Sequence, residues 1–109
     1  MLLPLLGSES CERVLIFIYA RGEGYATEIA QFFKTNLYGI QNQLDKLEQG
    51  SVLVSCKKGR TRLYTLNPRY PFLKEIMSLL EKVVSYYPFE IQEGLLMNRR
   101  RPRRRQKLL

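Results

Sequence analysis

The stretch that decides the fold is residues 26–54, ATEIAQFFKTNLYGIQNQLDKLEQGSVLV. Ala26, Ile29, Ala30 and Phe33 recur at i, i+3, i+4 and i+7, the spacing of one helical face, and Glu28 stands in the first turn, where an acid is favoured. The spacing predicts a short helix over 26–33, whose two alanines let another helix approach closely. Lys34-Thr35-Asn36 follows as a three-residue turn, with Thr35 or Asn36 placed to cap the next helix. That helix is expected from Leu37 to about Gln49, ended by Gly50, with Leu37, Ile40, Leu44 and Leu47 on one stripe. At about 100° per residue the opposite face carries Tyr38, Gly39, Asn42 and Lys46, flanked by Gln41, Gln43 and Asp45. Over its first two turns that face is polar and almost uncharged.

Downstream the period changes from helical to alternating. Residues 52–56 (VLVSC) and 61–66 (TRLYTL) are β-rich and joined by Lys57-Lys58-Gly59-Arg60, which reads as a hairpin with a glycine at a strongly basic tip. Residues 67–71 (NPRYP) break the strand, and a last helix fits 72–86, closed by Pro88. Upstream, Ser8 caps a helix with Glu9 and Glu12 as helix-start charges. Val14, Leu15, Ile16, Phe17, Ile18 and Tyr19 make that helix apolar enough to be enclosed on more than one side, and Gly22-Glu23-Gly24 stops it. The order helix, short helix, turn, helix, hairpin, helix is that of a winged helix-turn-helix, an α+β, mainly α, fold. The expected organisation is an apolar arm over 1–7, the domain over 8–88 and a basic tail over 89–109, which has no sustained periodicity but room for a short helix near Ile91 to Met97.

Residues 26–54 resemble the ArsR/MarR-type winged-helix regulators, in which an "ELA" second helix leads into a "VSxxLxxLExxGLV" third helix and strand. The matching residues are Glu28-Ile29-Ala30, Ile40-Gln41, Leu44, Leu47-Glu48, Gly50 and Leu53-Val54, and residues 59–68 (GRTRLYTLNP) resemble the wing and exit strand. The resemblance covers about residues 8–88. It implies a DNA-binding transcriptional regulator, a dimeric repressor on a near-palindromic operator. Ser51-Val52 departs from the family pattern, and the cysteine-rich motif of its metal-sensing members does not occur in this third helix.

On that plan Tyr38, Gln41 and Asn42, with Gln43, are candidates for reading bases, since Asn and Gln make bidentate contacts to adenine and Tyr packs on a thymine methyl. Gly39 would leave room for close backbone approach. Thr35, Lys46, Lys57, Lys58, Arg60 and Arg62 are candidates for phosphates, because no acid lies between Gln49 and Lys74. The competing readings are a solvated helix face and a hairpin tip charged to keep its edges soluble. Phe72, Ile76, Leu79, Leu80, Val83 and Val84 give the last helix more apolar surface than one packing partner needs, so it is expected to serve both core and homodimer interface.

The balance of charge points the same way. Of 109 residues, 18 are Lys or Arg and 10 Asp or Glu, a net +8. Residues 1–88 hold 11 basic and 8 acidic side chains, whereas 89–109 hold 7 and 2. Arg99, Arg100, Arg101, Arg103, Arg104, Arg105 and Lys107 would release counterions from any polyphosphate, RNA as well as double-stranded DNA. A sequence-independent binder driven by this tail, or a winged-helix module that binds protein, therefore remains open beside the regulator. Histidine is absent, which removes the commonest general base and metal ligand. Cys11 and Cys56 are isolated, so neither a disulfide framework nor a metal site is expected, and no cofactor is implied. Gly22-Glu23-Gly24 is too short for a nucleotide loop, and no acid/base set can be assembled, so catalysis is not expected. The apolar run over 1–6 lacks the basic start of a signal peptide, and no stretch approaches a membrane span; the expected location is cytoplasmic, on the nucleoid.

Overall fold

The computed structural model describes residues 1–97, so the arginine-rich segment from Arg99 to Lys107 lies outside the described residues. Its elements in order are α1 (Leu3–Leu6), α2 (Glu9–Arg21), β1 (Gly24–Tyr25), α3 (Ala26–Phe33), α4 (Leu37–Gln49), β2 (Leu53–Lys58), β3 (Thr61–Leu66), α5 (Leu73–Ser85) and α6 (Phe89–Met97). The helices over 26–33 and 37–49 coincide with those read from the sequence.

α2 is the central post. Ser8 caps it by accepting from the Cys11 amide at 3.2 Å, and Gly22 ends it at a left-handed φ of 89°. Its Val14, Phe17, Ile18 and Ala20 join one core with Ile29, Ala30, Ile40, Leu44, Leu53, Tyr64 and Leu95. Cys11, Leu15 and Ile16 join a second with Leu80 and Val83 of α5. Each aliphatic side chain so enclosed contributes on the order of 1.5–3 kcal/mol, which holds the helix as the wall between two half-cores.

The sheet has the order β1-β3-β2, antiparallel throughout. β2 and β3 pair from Leu53↔Leu66 to Lys58↔Thr61, leaving Gly59-Arg60 as a two-residue turn with glycine first at φ 63°. β1 pairs Gly24 with Tyr64, and a Cβ on Gly24 would stand 2.9 Å from the Phe17 ring, so only glycine lets this strand close onto α2. Gly50 ends α4 as expected, but the left-handed position beyond it is taken by Ser51 at φ 67°.

Three expectations need correction. Residues 89–97, placed in the tail, form α6 where a short helix near 91–97 had room, and its Leu95 is completely buried in the core against α2. Leu80 and Val83 are enclosed within the chain's own core, so they leave no surface for a dimer, while Val84 is half-buried against the same core. Phe72, Leu79 and, in part, Ile76 remain at the surface. Finally, Glu12 is no simple helix-start charge: it is 1% exposed and bonded to Leu2 and to Tyr87, between α5 and α6.

Candidate nucleic-acid interface

α3 and α4 are joined by Lys34-Thr35-Asn36, in which Lys34 takes a left-handed φ of 54° and turns the chain. Asn36, rather than Thr35, caps α4: its Oδ1 accepts from the Tyr38 amide at 2.7 Å. The cap fixes where α4 begins, and with it the residues that face outward. Tyr38 is 77% exposed, and Asn42, one turn on, is exposed as well.

Gln41 and Gln43, the other members of the expected base-reading set, are half-buried on the two flanks of that face, and Gly39 and Lys46 lie on the α2 side with Gln43. A Cβ on Gly39 would come within 3.3 Å of Ser10 Oγ, so this glycine serves the approach of α4 to α2 and leaves no free space outside. Gln43, four residues on and half-buried, shares that side. Lys46 also lies toward α2. Burial pushes the Cys11 thiol up, and the nearby Lys46 charge opposes the shift. Gln41 sits on the side toward the hairpin, where its amide donates to Asp45 at 3.2 Å and to the Tyr64 hydroxyl oxygen at 3.4 Å. Burial raises the Tyr64 hydroxyl above the ordinary tyrosine range, which keeps it neutral in this contact.

The hairpin presents its charges in two ways. Lys57, Lys58 and Arg60 are exposed and form no ion pair among the described residues. Arg62 is tied back. It donates to Ser55 Oγ at 3.1 Å, and Ser55 donates to Glu48 at 2.6 Å, a relay that fastens β2 and β3 to the end of α4. Between hairpin and helices runs a cleft of about 300 Å³ lined by Tyr25, Thr27, Gln41, Arg60, Arg62 and Tyr64, among others. A second, of about 330 Å³, lies beside Thr27, Gln31, Lys34 and Thr35. Tyr25, Thr27 and Tyr64 escaped the sequence reading. For Thr27 the signal was there, a hydroxyl at the start of a short helix, whereas Tyr25 and Tyr64 depend on the pairing of β1 with β3.

No family model matches the sequence, and no curated protein matches it. Among solved structures the chain is similar to Lactococcus lactis ZitR. A double mutant in apo form superposes with a TM-score of 0.54 at 21% identity, over 83% of this chain and 76% of that one. A second structure of the same mutant gives 0.51 at 19% identity, over 84% and 70%. This chain has the winged-helix fold. In its terms α4 stands at the position of the recognition helix, α3 at that of the helix before it, and the β2–β3 hairpin is the wing.

Among the described residues no three His, Cys, Asp or Glu side chains are grouped to hold a metal ion. Cys56 is exposed on the wing, and Cys11 is buried against α5. No helix among the described residues is long and apolar enough to cross a membrane.

Proposed function

We propose that the protein is a transcriptional regulator that binds double-stranded DNA as a homodimer, with the recognition helix in the major groove and the wing on the backbone. One observation carries this reading. An exposed helix face, uncharged over its first two turns at Tyr38 and Asn42, stands beside a hairpin whose Lys57, Lys58 and Arg60 have no ion-pair partner among the described residues. Such a face suits contact with base edges, and such cations suit phosphates. Thr35, Lys34 and Thr27 around the turn supply further phosphate donors, and the segment over 99–107 adds sequence-independent affinity. Of the sequence candidates, Arg62 and Gln43 act indirectly in this scheme, through the Ser55–Glu48 relay and the contact with α2.

The partner surface for a second copy is the exposed apolar flank of α5, Phe72, Leu79 and Tyr86, with Leu3 and Leu5 of α1. Two-fold pairing there would set two recognition helices on one face and match a near-palindromic operator, whose occupation represses transcription. The similarity to the winged-helix regulator ZitR supports this reading through the fold.

Asn42→Ala and Lys58→Ala test the roles. Asn42→Ala is expected to cost about 1–3 kcal/mol on a specific duplex and little on random DNA. Lys58→Ala should weaken both and reduce the slope of log affinity against log salt by about one. Equal losses for both variants on both duplexes would refute base reading by α4. Removing residues 98–109 separates the tail-driven alternative: a regulator keeps its sequence preference, and a tail-driven binder loses nearly all affinity.

A further inference from the structure

The amide of Gln41 is held in one orientation. Its Nε2 donates to Asp45 Oδ1 at 3.2 Å and to Tyr64 Oη at 3.4 Å. An ionised carboxylate only accepts, so the end of the amide facing Asp45 has to be the NH2 group; turning the amide over would set acceptor against acceptor. Both Nε2 hydrogens are then engaged, and Oε1 has no hydrogen-bond partner among the described residues. The side chain lines the cleft between wing and recognition helix. Tyr64 is 1% exposed and its ring is part of the core, so the group that steadies Gln41 is itself immobile.

A glutamine free to turn reads adenine with both ends of its amide, donating to N7 and accepting from N6. Gln41, so held, offers only the accepting end. Asp45, exposed one turn further along α4, adds carboxylate oxygens, which are acceptors only. We infer that Gln41 and Asp45 form an acceptor pair, positioned by Tyr64, that selects bases carrying an exocyclic amine in the major groove. These are adenine, through N6, and cytosine, through N4, against guanine O6 and thymine O4. The inference rests on α4 entering the major groove, as proposed above.

The test is selection of bound duplexes from a randomised library by the full chain and by Gln41→Ala, Asp45→Ala and Tyr64→Phe. The full chain should favour adenine or cytosine at one position of each half-site, a preference that Gln41→Ala lowers about 10-fold. Asp45→Ala and Tyr64→Phe each release one Nε2 hydrogen, so in both the position should narrow to adenine. Tyr64→Phe keeps the buried ring, and a thermal melt that matches the unsubstituted chain's separates positioning from a general loss of fold. Guanine or thymine at the Gln41-dependent position, or no position that depends on Gln41, overturns the inference and leaves DNA reading by α4 intact. A library with no enriched sequence for any variant overturns both.

Discussion

Glu12 is where the first residues of the chain meet the turn between α5 and α6. Its carboxylate accepts from the Leu2 amide at 2.5 Å and from the Tyr87 hydroxyl, and it lies 3.1 Å from the amino-terminal ammonium. Burial alone would favour the neutral acid, yet these donors outweigh it and hold the carboxyl below the usual glutamate range. Burial and the Glu12 charge push the Tyr87 hydroxyl well above the tyrosine range, so it stays a donor. Because the folded carboxyl titrates below its unfolded value, its contribution to stability is complete above the ordinary glutamate range. It is lost as the pH falls below that range, through the folded value. Glu12→Gln should therefore cost about 2 kcal/mol near pH 7, and thermal melts should show the gap to wild type closing as the pH is lowered to about 3. A gap independent of pH would mean that the charge is not what the site uses.

Among the elements, β1 shows how much two residues can fix. Gly24 admits the Phe17 ring, and the strand brings Tyr64 of β3 over α2. Gly24→Ala should destabilise by about 1–3 kcal/mol in chemical denaturation, because the ring is held in the core and cannot give way cheaply. In the sequence Gly22-Glu23-Gly24 reads only as a helix stop, since a strand this short has no period to detect. α3 and α4 were legible to the residue because each carries a long apolar stripe with a turn between. α6 was legible only as a short helix near 91–97, and its place in the core was not, because Leu95 buried alone leaves no stripe. The same holds for the interface. Tyr38 and Asn42 follow from helical period alone. The fixing of Gln41 by Tyr64, the Arg62–Ser55–Glu48 relay and the use of Gly39 against α2 arise from elements packed on one another, and no local pattern encodes them.

At the scale of the whole molecule, the domain is closed by Arg21. Its guanidinium lies 4.4 Å from the centre of the Phe17 ring and 5.1 Å from that of Phe32, pairs with Glu28 at 3.3 Å, and donates to the Gly94 and Leu95 carbonyls. One side chain thus joins α2, α3 and the end of α6, the last element before the arginine-rich segment. Arg21→Ala should cost about 2–4 kcal/mol and remove hydrogen-exchange protection over residues 89–97 before it does so in α4. Equal loss of protection in both would show that α6 is not a separable closure. With α6 held, α4 and the hairpin border one cleft, and Phe72, Leu79 and Tyr86 of α5 remain exposed.

Selection of bound duplexes by the full-length protein, at about 150 mM salt to suppress loose electrostatic attachment, tests the central claim most directly. Two recognition helices related by a two-fold axis should enrich an inverted repeat with half-sites about one helical turn apart. Retention of DNA with no enriched sequence would contradict base reading by α4 and leave the basic segment as the source of binding.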